Sequence, residues 1–196
     1  WFLRTLRDDS IVARRLVQVL GTSAFVAELL MRNPEVIPDL TDGAEGPLLV
    51  DSKVSDIASA LTASAERHRT PERVIAAARS LRRAELARIG AADVLRMISV
   101  PDVGRRLTAV WKAVLEAALA AVIRDMMPEG DAQPARLAYI GLGRLGGDEL
   151  SYGSDADVLI VCDPVDGVPE EDALKWATQV AERVGALLSS PSSDPP

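Results

Sequence analysis

The chain has 196 residues, of which 48% are apolar and only 4% aromatic, and its formal net charge is -7. That much apolar chain supports one mid-sized domain or two small ones and excludes a disordered polypeptide, while the acidic balance argues against a general nucleic-acid binder. The single Cys162 excludes an internal disulfide framework, and no apolar run reaches the roughly 18 residues that cross a bilayer.

With so few aromatics the core must come from Leu, Val, Ile and Ala, a mixture typical of helical proteins. Ile11, Leu16, Val19 and Leu20 predict a helix ending at Gly21. Ser23 is positioned to cap the next, with Phe25, Val26, Leu29 and Leu30 on its apolar side and Pro34 at its end. A third runs from Val54 to about Arg67, with Ile57, Ala58 and Leu61 at helical spacing. Pro71 suits the first turn of a long helix through Val74, Ala77, Leu81 and Leu86. From about Pro101 to Met127 an apolar stripe recurs at three- and four-residue steps, which predicts a long helix packed on others. Trp111 lies on that stripe and reads as core, and His68 reads as an exposed helix end. The basic set Arg67, Arg69, Arg73, Arg79, Arg82, Arg83 and Arg88 is interleaved with glutamates and reads as a solvated helix face with i,i+4 pairs.

Composition then changes. Residues 141–196 hold 3 of the 22 basic residues and 11 of the 29 acidic ones. The turn signal Met127-Pro128-Glu129-Gly130 predicts a boundary between a helical bundle region, 1–130, and a second unit, 131–196. Leu137–Ile140 is a short strand candidate, and Val158–Cys162 is a continuous β-rich run suited to a buried strand. A helix from about Glu170 to Leu188 and a Ser/Pro-rich loop from Ser189 to Pro196 complete the chain. The expected class is α+β, mostly helical first, then the start of an α/β unit with a small sheet.

Two readings compete for the segment between the strands. Gly141, Gly143 and Gly146 match the G-x-G-x-x-G of a dinucleotide fold, with Asp163 near the place of a ribose-binding acid. That fold needs a helix of about ten residues opening at the third glycine. Gly147, Ser151, Gly153 and Ser154 occupy that space and are weak helix formers. The other reading is metal-dependent phosphoryl or nucleotidyl transfer. Asp155 and Asp157 are two apart at a strand start, so both carboxylates leave one face. Two such carboxylates repel unless a cation lies between them, and Mg²⁺ favours hard oxygens while keeping room for phosphates. The Gly146-Gly147 turn lets backbone N–H groups approach a triphosphate, and Ser154 offers a hydroxyl.

A glycine turn followed by an Asp-hydrophobic-Asp pair resembles the DNA polymerase beta-type nucleotidyltransferase superfamily. More closely, Gly141-Leu-Gly-Arg-Leu-Gly-Gly-Asp-Glu-Leu-Ser-Tyr-Gly-Ser-Asp-Ala-Asp-Val158 is similar to the glutamine synthetase adenylyltransferase family. Residues Leu20–Glu35 and Leu81–Ile89 also resemble that family, so the likeness covers most of 10–190. The resemblance implies a bifunctional cytoplasmic enzyme. One half transfers AMP from ATP to a tyrosine of glutamine synthetase, and the other removes it by phosphorolysis. Gly153-Ser-Asp-Ala-Asp157 looks more like the adding half, since the removing half more often has Asn before its Ser-Asp. By position, Asp155 and Asp157 would hold Mg²⁺ as the catalytic carboxylates, and Gly146, Gly147 and Ser154 would line the triphosphate. Glu149 would orient the turn. A nitrogen-regulatory PII signal protein joins glutamine synthetase among the implied partners, with no nucleic acid or membrane. The superfamily also uses a third carboxylate on a later strand. Here only Asp194 follows the last helix, so that group is expected beyond Pro196 and the 196 residues alone are expected to be catalytically incomplete.

Overall fold

The computed structural model describes residues 2–51, 54–127 and 133–191. The proposed boundary residues Pro128 to Gly130, and Asp194, lie outside them. The fold is α+β. Helices α1 (Phe2–Asp8), α2 (Ser10–Thr22) and α3 (Ala24–Arg32) lead into a 3₁₀ turn at Pro34–Leu40. Two-residue strands β1 (Asp42–Gly43) and β2 (Gly46–Pro47) pair before α4 (Leu48–Asp51) and α5 (Val54–Glu66). The long helices α6 (Pro71–Val94) and α7 (Val100–Asp125) follow, then β3 (Ala135–Gly141), the single turn α8 (Gly143–Gly146), β4 (Val158–Pro164) and α9 (Glu170–Ser189).

Local chemistry explains where the helices begin. The Asp9 carboxylate accepts from the Ile11 and Val12 amides at 2.9 and 3.1 Å, and Ser23 Oγ accepts from Val26 at 3.2 Å. At α7, Ser99 and Asp102 form a reciprocal capping box, with Pro101 in the first turn where no N–H is missed. Gly21 lies inside α2 rather than ending it, because the helix continues until Ser23 turns to extended backbone and caps α3.

Packing follows from the apolar stripes. α2, α3, α6 and the first half of α7 share one core, which also takes in Leu145 and Leu150 of the glycine-rich segment. The second half of α7 packs with Ala135 and α9 around Trp176 and Val180. The Trp176 indole N–H donates to the Met126 carbonyl at 2.9 Å, tying α9 to the end of α7.

Two expectations need correction. The arginines of α6 are not one solvated face. Arg82 is buried with its guanidinium 4.3 Å from the centre of the Trp111 ring, and burial lowers its pKa to about 10. Arg88 bridges Asp39 and Glu85, at 2.9 and 2.7 Å, while Arg79 donates to the Leu188 and Ser190 carbonyls at the end of α9, at 2.8 and 3.0 Å. Apart from the local Arg88–Glu85 pair, their partners lie far along the chain, which is why local i,i+4 logic misassigned them. Trp111, read as simple core, is half-buried under that guanidinium.

The second correction concerns β4. It pairs antiparallel with β3, with Leu137 opposite Cys162 and Tyr139 opposite Ile160. Burial alternates along both strands, so β4 is half-buried rather than fully buried. Helices cover one face of the sheet; Ile140, Leu159 and Val161 stay exposed on the other.

Candidate functional site

The glycine-rich segment leaves β3 and folds back on it within a few residues. Gly146 is packed so tightly that a Cβ there would run into the Gly141 carbonyl oxygen, and Gly143 has φ +50°. The Gly146 and Gly147 amides donate to the Leu142 and Gly143 carbonyls, each at 3.1 Å. Only glycine satisfies both the left-handed backbone and the close approach.

Beyond the turn the chain has no regular structure until β4. Asp148 holds a left-handed backbone, φ 58°, which is uncommon for a residue with a side chain. Its carboxylate pairs with Lys112 of α7 at 2.7 Å. The buried Leu150 donates its amide to Thr108 Oγ1 of α7 at 3.4 Å. Tyr152 stacks edge-on against Phe25, and its hydroxyl donates to Asp93 of α6 at 3.1 Å. Burial, and then the Asp93 charge, push the Tyr152 pKa up. Ser154 Oγ accepts from the Ser151 amide at 2.9 Å and lies 2.7 Å from Ser151 Oγ, so this hydroxyl closes its own turn. A cavity of about 700 Å³ opens between the start of α7 and the Gly147–Tyr152 stretch.

Asp157 joins the sheet by accepting from the Leu142 amide at 2.9 Å. Asp155 and Asp157 are both exposed and share the alternation that leaves Leu159 and Val161 exposed. Neither carboxylate joins an ion pair among the described residues. The pair stands at the rim of the open sheet face, a few residues after the Gly146–Gly147 turn. Hard, unpaired carboxylate oxygens suit Mg²⁺, which takes one or two carboxylates and fills its remaining positions with water or phosphate. No group of three His, Cys, Asp or Glu gathers among the described residues. Glu149 is exposed beside the turn, and His68 serves through its backbone carbonyl, which accepts from Arg124 at 3.1 Å.

The antiparallel pairing excludes the dinucleotide reading. That motif needs parallel strands joined by a crossover helix, and only a four-residue turn follows Gly143. Asp163 instead forms an exposed ion pair with Arg136 at 3.0 Å. Sequence reasoning missed Asp93, Gly104, Thr108 and Lys112 as supports of the segment. The one signal available was a small and a polar residue, Gly104 and Thr108, four apart among the otherwise apolar buried positions of α7.

A family model described as glutamate-ammonia ligase adenylyltransferase matches residues 13–196. Among similar proteins are those named bifunctional glutamine synthetase adenylyltransferase/adenylyl-removing enzyme. That of Mycobacterium tuberculosis (strain CDC 1551 / Oshkosh) is 57% identical over 196 residues, covering 100% of this chain and 20% of the relative. That of Mycobacterium marinum is 59% identical with the same coverage, and that of Mycobacterium leprae 57%. The chain thus spans about one fifth of the length of these relatives. No described helix is long and apolar enough to cross a membrane.

Proposed function

The chain belongs to the glutamate-ammonia ligase adenylyltransferase family, and from that premise we propose that it carries the nucleotide-binding part of the half that transfers AMP from ATP to a tyrosine of glutamine synthetase. The observation that carries this reading is the exposed Asp155–Asp157 pair at the rim of the open sheet face, preceded by the Gly146–Gly147 turn and an irregular stretch that α7 supports. The glycine before Ser154-Asp155 supports the adding half over the removing half. The division of labour falls near residue 130, with the helical unit supporting and the second unit binding nucleotide.

In this reading Asp155 and Asp157 hold Mg²⁺, which when bound neutralises charge on the ATP phosphates and favours pyrophosphate as leaving group. The chain's own residues orient. Gly146 lets the turn close tightly on the Gly141 carbonyl, and the exposed Gly147 beside it presents main chain without a side chain to an approaching triphosphate. Ser154 fixes the bend that delivers Asp155 to the sheet rim. The longer polypeptide supplies a further carboxylate and the surface that receives glutamine synthetase.

The test uses the longer enzyme with α-labelled ATP, Mg²⁺ and glutamine synthetase, following label on the synthetase. Asp155→Asn and Asp157→Asn should each lower transfer by at least about 100-fold. Their melting temperatures should stay near wild type, because both side chains are exposed. Retained transfer in both variants would sink the site. Phosphate-dependent release of AMP from labelled synthetase, without transfer, would assign the chain to the removing half.

A further inference from the structure

The stretch Asp148–Leu150 has no helix or sheet of its own and holds a left-handed residue, Asp148. The Glu149 amide donates back to the Arg144 carbonyl of α8 at 2.8 Å, and the remaining hold comes from one face of α7. Gly104, Thr108 and Lys112 are four residues apart, so they align along one side of that helix. Each meets the stretch in a different way. At Gly104 the backbones touch: a Cβ there would stand 3.0 Å from the Asp148 carbonyl oxygen and 3.3 Å from Glu149 Cα. At Thr108, which is fully buried, the hydroxyl oxygen receives the Leu150 amide. At Lys112 the ammonium holds the Asp148 carboxylate.

The three contacts differ in weight. The Leu150 amide is buried, so losing its acceptor costs a full desolvation penalty. The Gly104 contact is steric and has little slack. The Lys112–Asp148 pair is half-exposed on both sides and contributes little. α7 itself is rigid here, fixed by its capping box and by the larger core. The Asp148–Leu150 stretch is flanked by the Gly146–Gly147 turn on one side and by Ser154, Asp155 and Asp157 on the other.

We propose that Gly104, Thr108 and Lys112 are positioning residues that set the glycine turn against the Asp155–Asp157 pair, so that the helical unit tunes nucleotide affinity. The inference rests on the functional reading above. Displacing the stretch by a few tenths of an ångström moves the phosphate-facing turn relative to the carboxylates while leaving both groups chemically intact.

The experiment compares Thr108→Val with Thr108→Ser in the longer enzyme. The first keeps the side-chain shape and removes the acceptor; the second keeps the acceptor. Thr108→Val should raise KM for Mg-ATP about tenfold with kcat within about twofold, because the freed Leu150 amide draws the stretch out of place in the unliganded enzyme and nucleotide binding must restore it. Thr108→Ser should stay within about twofold of wild type on both. Gly104→Ala should follow Thr108→Val. By amide hydrogen exchange, Leu150 should exchange faster in Thr108→Val and not in Thr108→Ser. An unchanged KM in Thr108→Val, or an equal rise in Thr108→Ser, overturns the inference. Should Thr108→Val not fold, Gly104→Ala carries the test: its KM for Mg-ATP should rise about tenfold, and an unchanged KM there overturns the inference. Inactive Asp157→Asn with unaltered KM in Thr108→Val would remove this inference alone. Active Asp157→Asn would remove the site reading, and a Leu150 amide no faster in Thr108→Val would then remove the clamp as well.

Discussion

Helix α7 and the β3–β4 hairpin are neighbours with opposite surroundings. α7 is enclosed on most sides: Val110, Val114, Ala118 and Val122 face α6, α5 and α9, and even its polar Thr108 is fully buried. The hairpin is enclosed on one side only. Its inward residues pack on α7 and α9, and its outward face presents Ile140, Leu159 and Val161 beside Asp155 and Asp157. The difference separates two jobs. Close packing on one side fixes the backbone to within tenths of an ångström. Openness on the other leaves the Asp155 and Asp157 carboxylates exposed to solvent, without the desolvation penalty of a buried charge. A charge pair of this kind belongs on the open side of a rigid element.

The comparison predicts very different responses to truncation. Leu29→Ala, in the larger core, should cost about 2–5 kcal/mol in denaturant unfolding, since the cavity cannot collapse among rigid helices. A loss below 1 kcal/mol, or about that of a surface site, would mean the helical unit is looser than its packing implies. A smaller effect is expected at the start of α7. Ser99→Ala removes the cap and should cost about 1 kcal/mol. The same box makes α7 sensitive to acid. The hydrogen bond from Ser99, then that from Arg105, holds the Asp102 pKa at about 2, against an ordinary value of 3.8. A carboxylate depressed on folding contributes stability that is fully present above pH 3.8 and is lost as pH falls toward about 2. The melting temperature should therefore drop through that window, and Asp102→Asn should flatten the drop. An unchanged acid profile in Asp102→Asn would show that the cap does not couple to folding.

Much of this architecture was legible in the sequence, for reasons that are local. Pro71 and Ser23 mark helix starts because capping is settled within one turn. The stripe on α7 was legible because the helical period repeats across 26 residues. The alternation from Val158 to Pro164 follows from the strand period, and Asp155 and Asp157 lie exposed at the same parity in the irregular stretch just before it. What was not legible depends on distant chain. Arg79, Arg82 and Arg88 find distant partners in α9, Trp111 and the 3₁₀ turn, which no local pattern reaches, although Arg88 also keeps the local pair with Glu85. Thr108 was hidden for the same reason, since its partner amide is 42 residues away. The run Val158–Cys162 looked fully buried because both faces are apolar, and composition alone does not say that only one is covered.

That last ambiguity gives the mildest and most discriminating test of the comparison. Leu159 is 52% exposed on the open face, yet its residue type and its apolar neighbours are those of a core strand. If the face is open in solution, Leu159→Thr exchanges one strand former for another and removes apolar surface from water. Stability should then stay within about 0.5 kcal/mol of wild type in the 196-residue chain. A loss of several kcal/mol would mean that the face is covered and that the carboxylates beside it are less hydrated than their exposure implies. The same substitution in the longer enzyme separates the two cases further. A chain that tolerates Leu159→Thr alone but loses stability in the longer polypeptide has its second layer supplied by the remainder of that polypeptide. The open face would then be a property of this segment, and the site beside it would be completed only when that layer packs down.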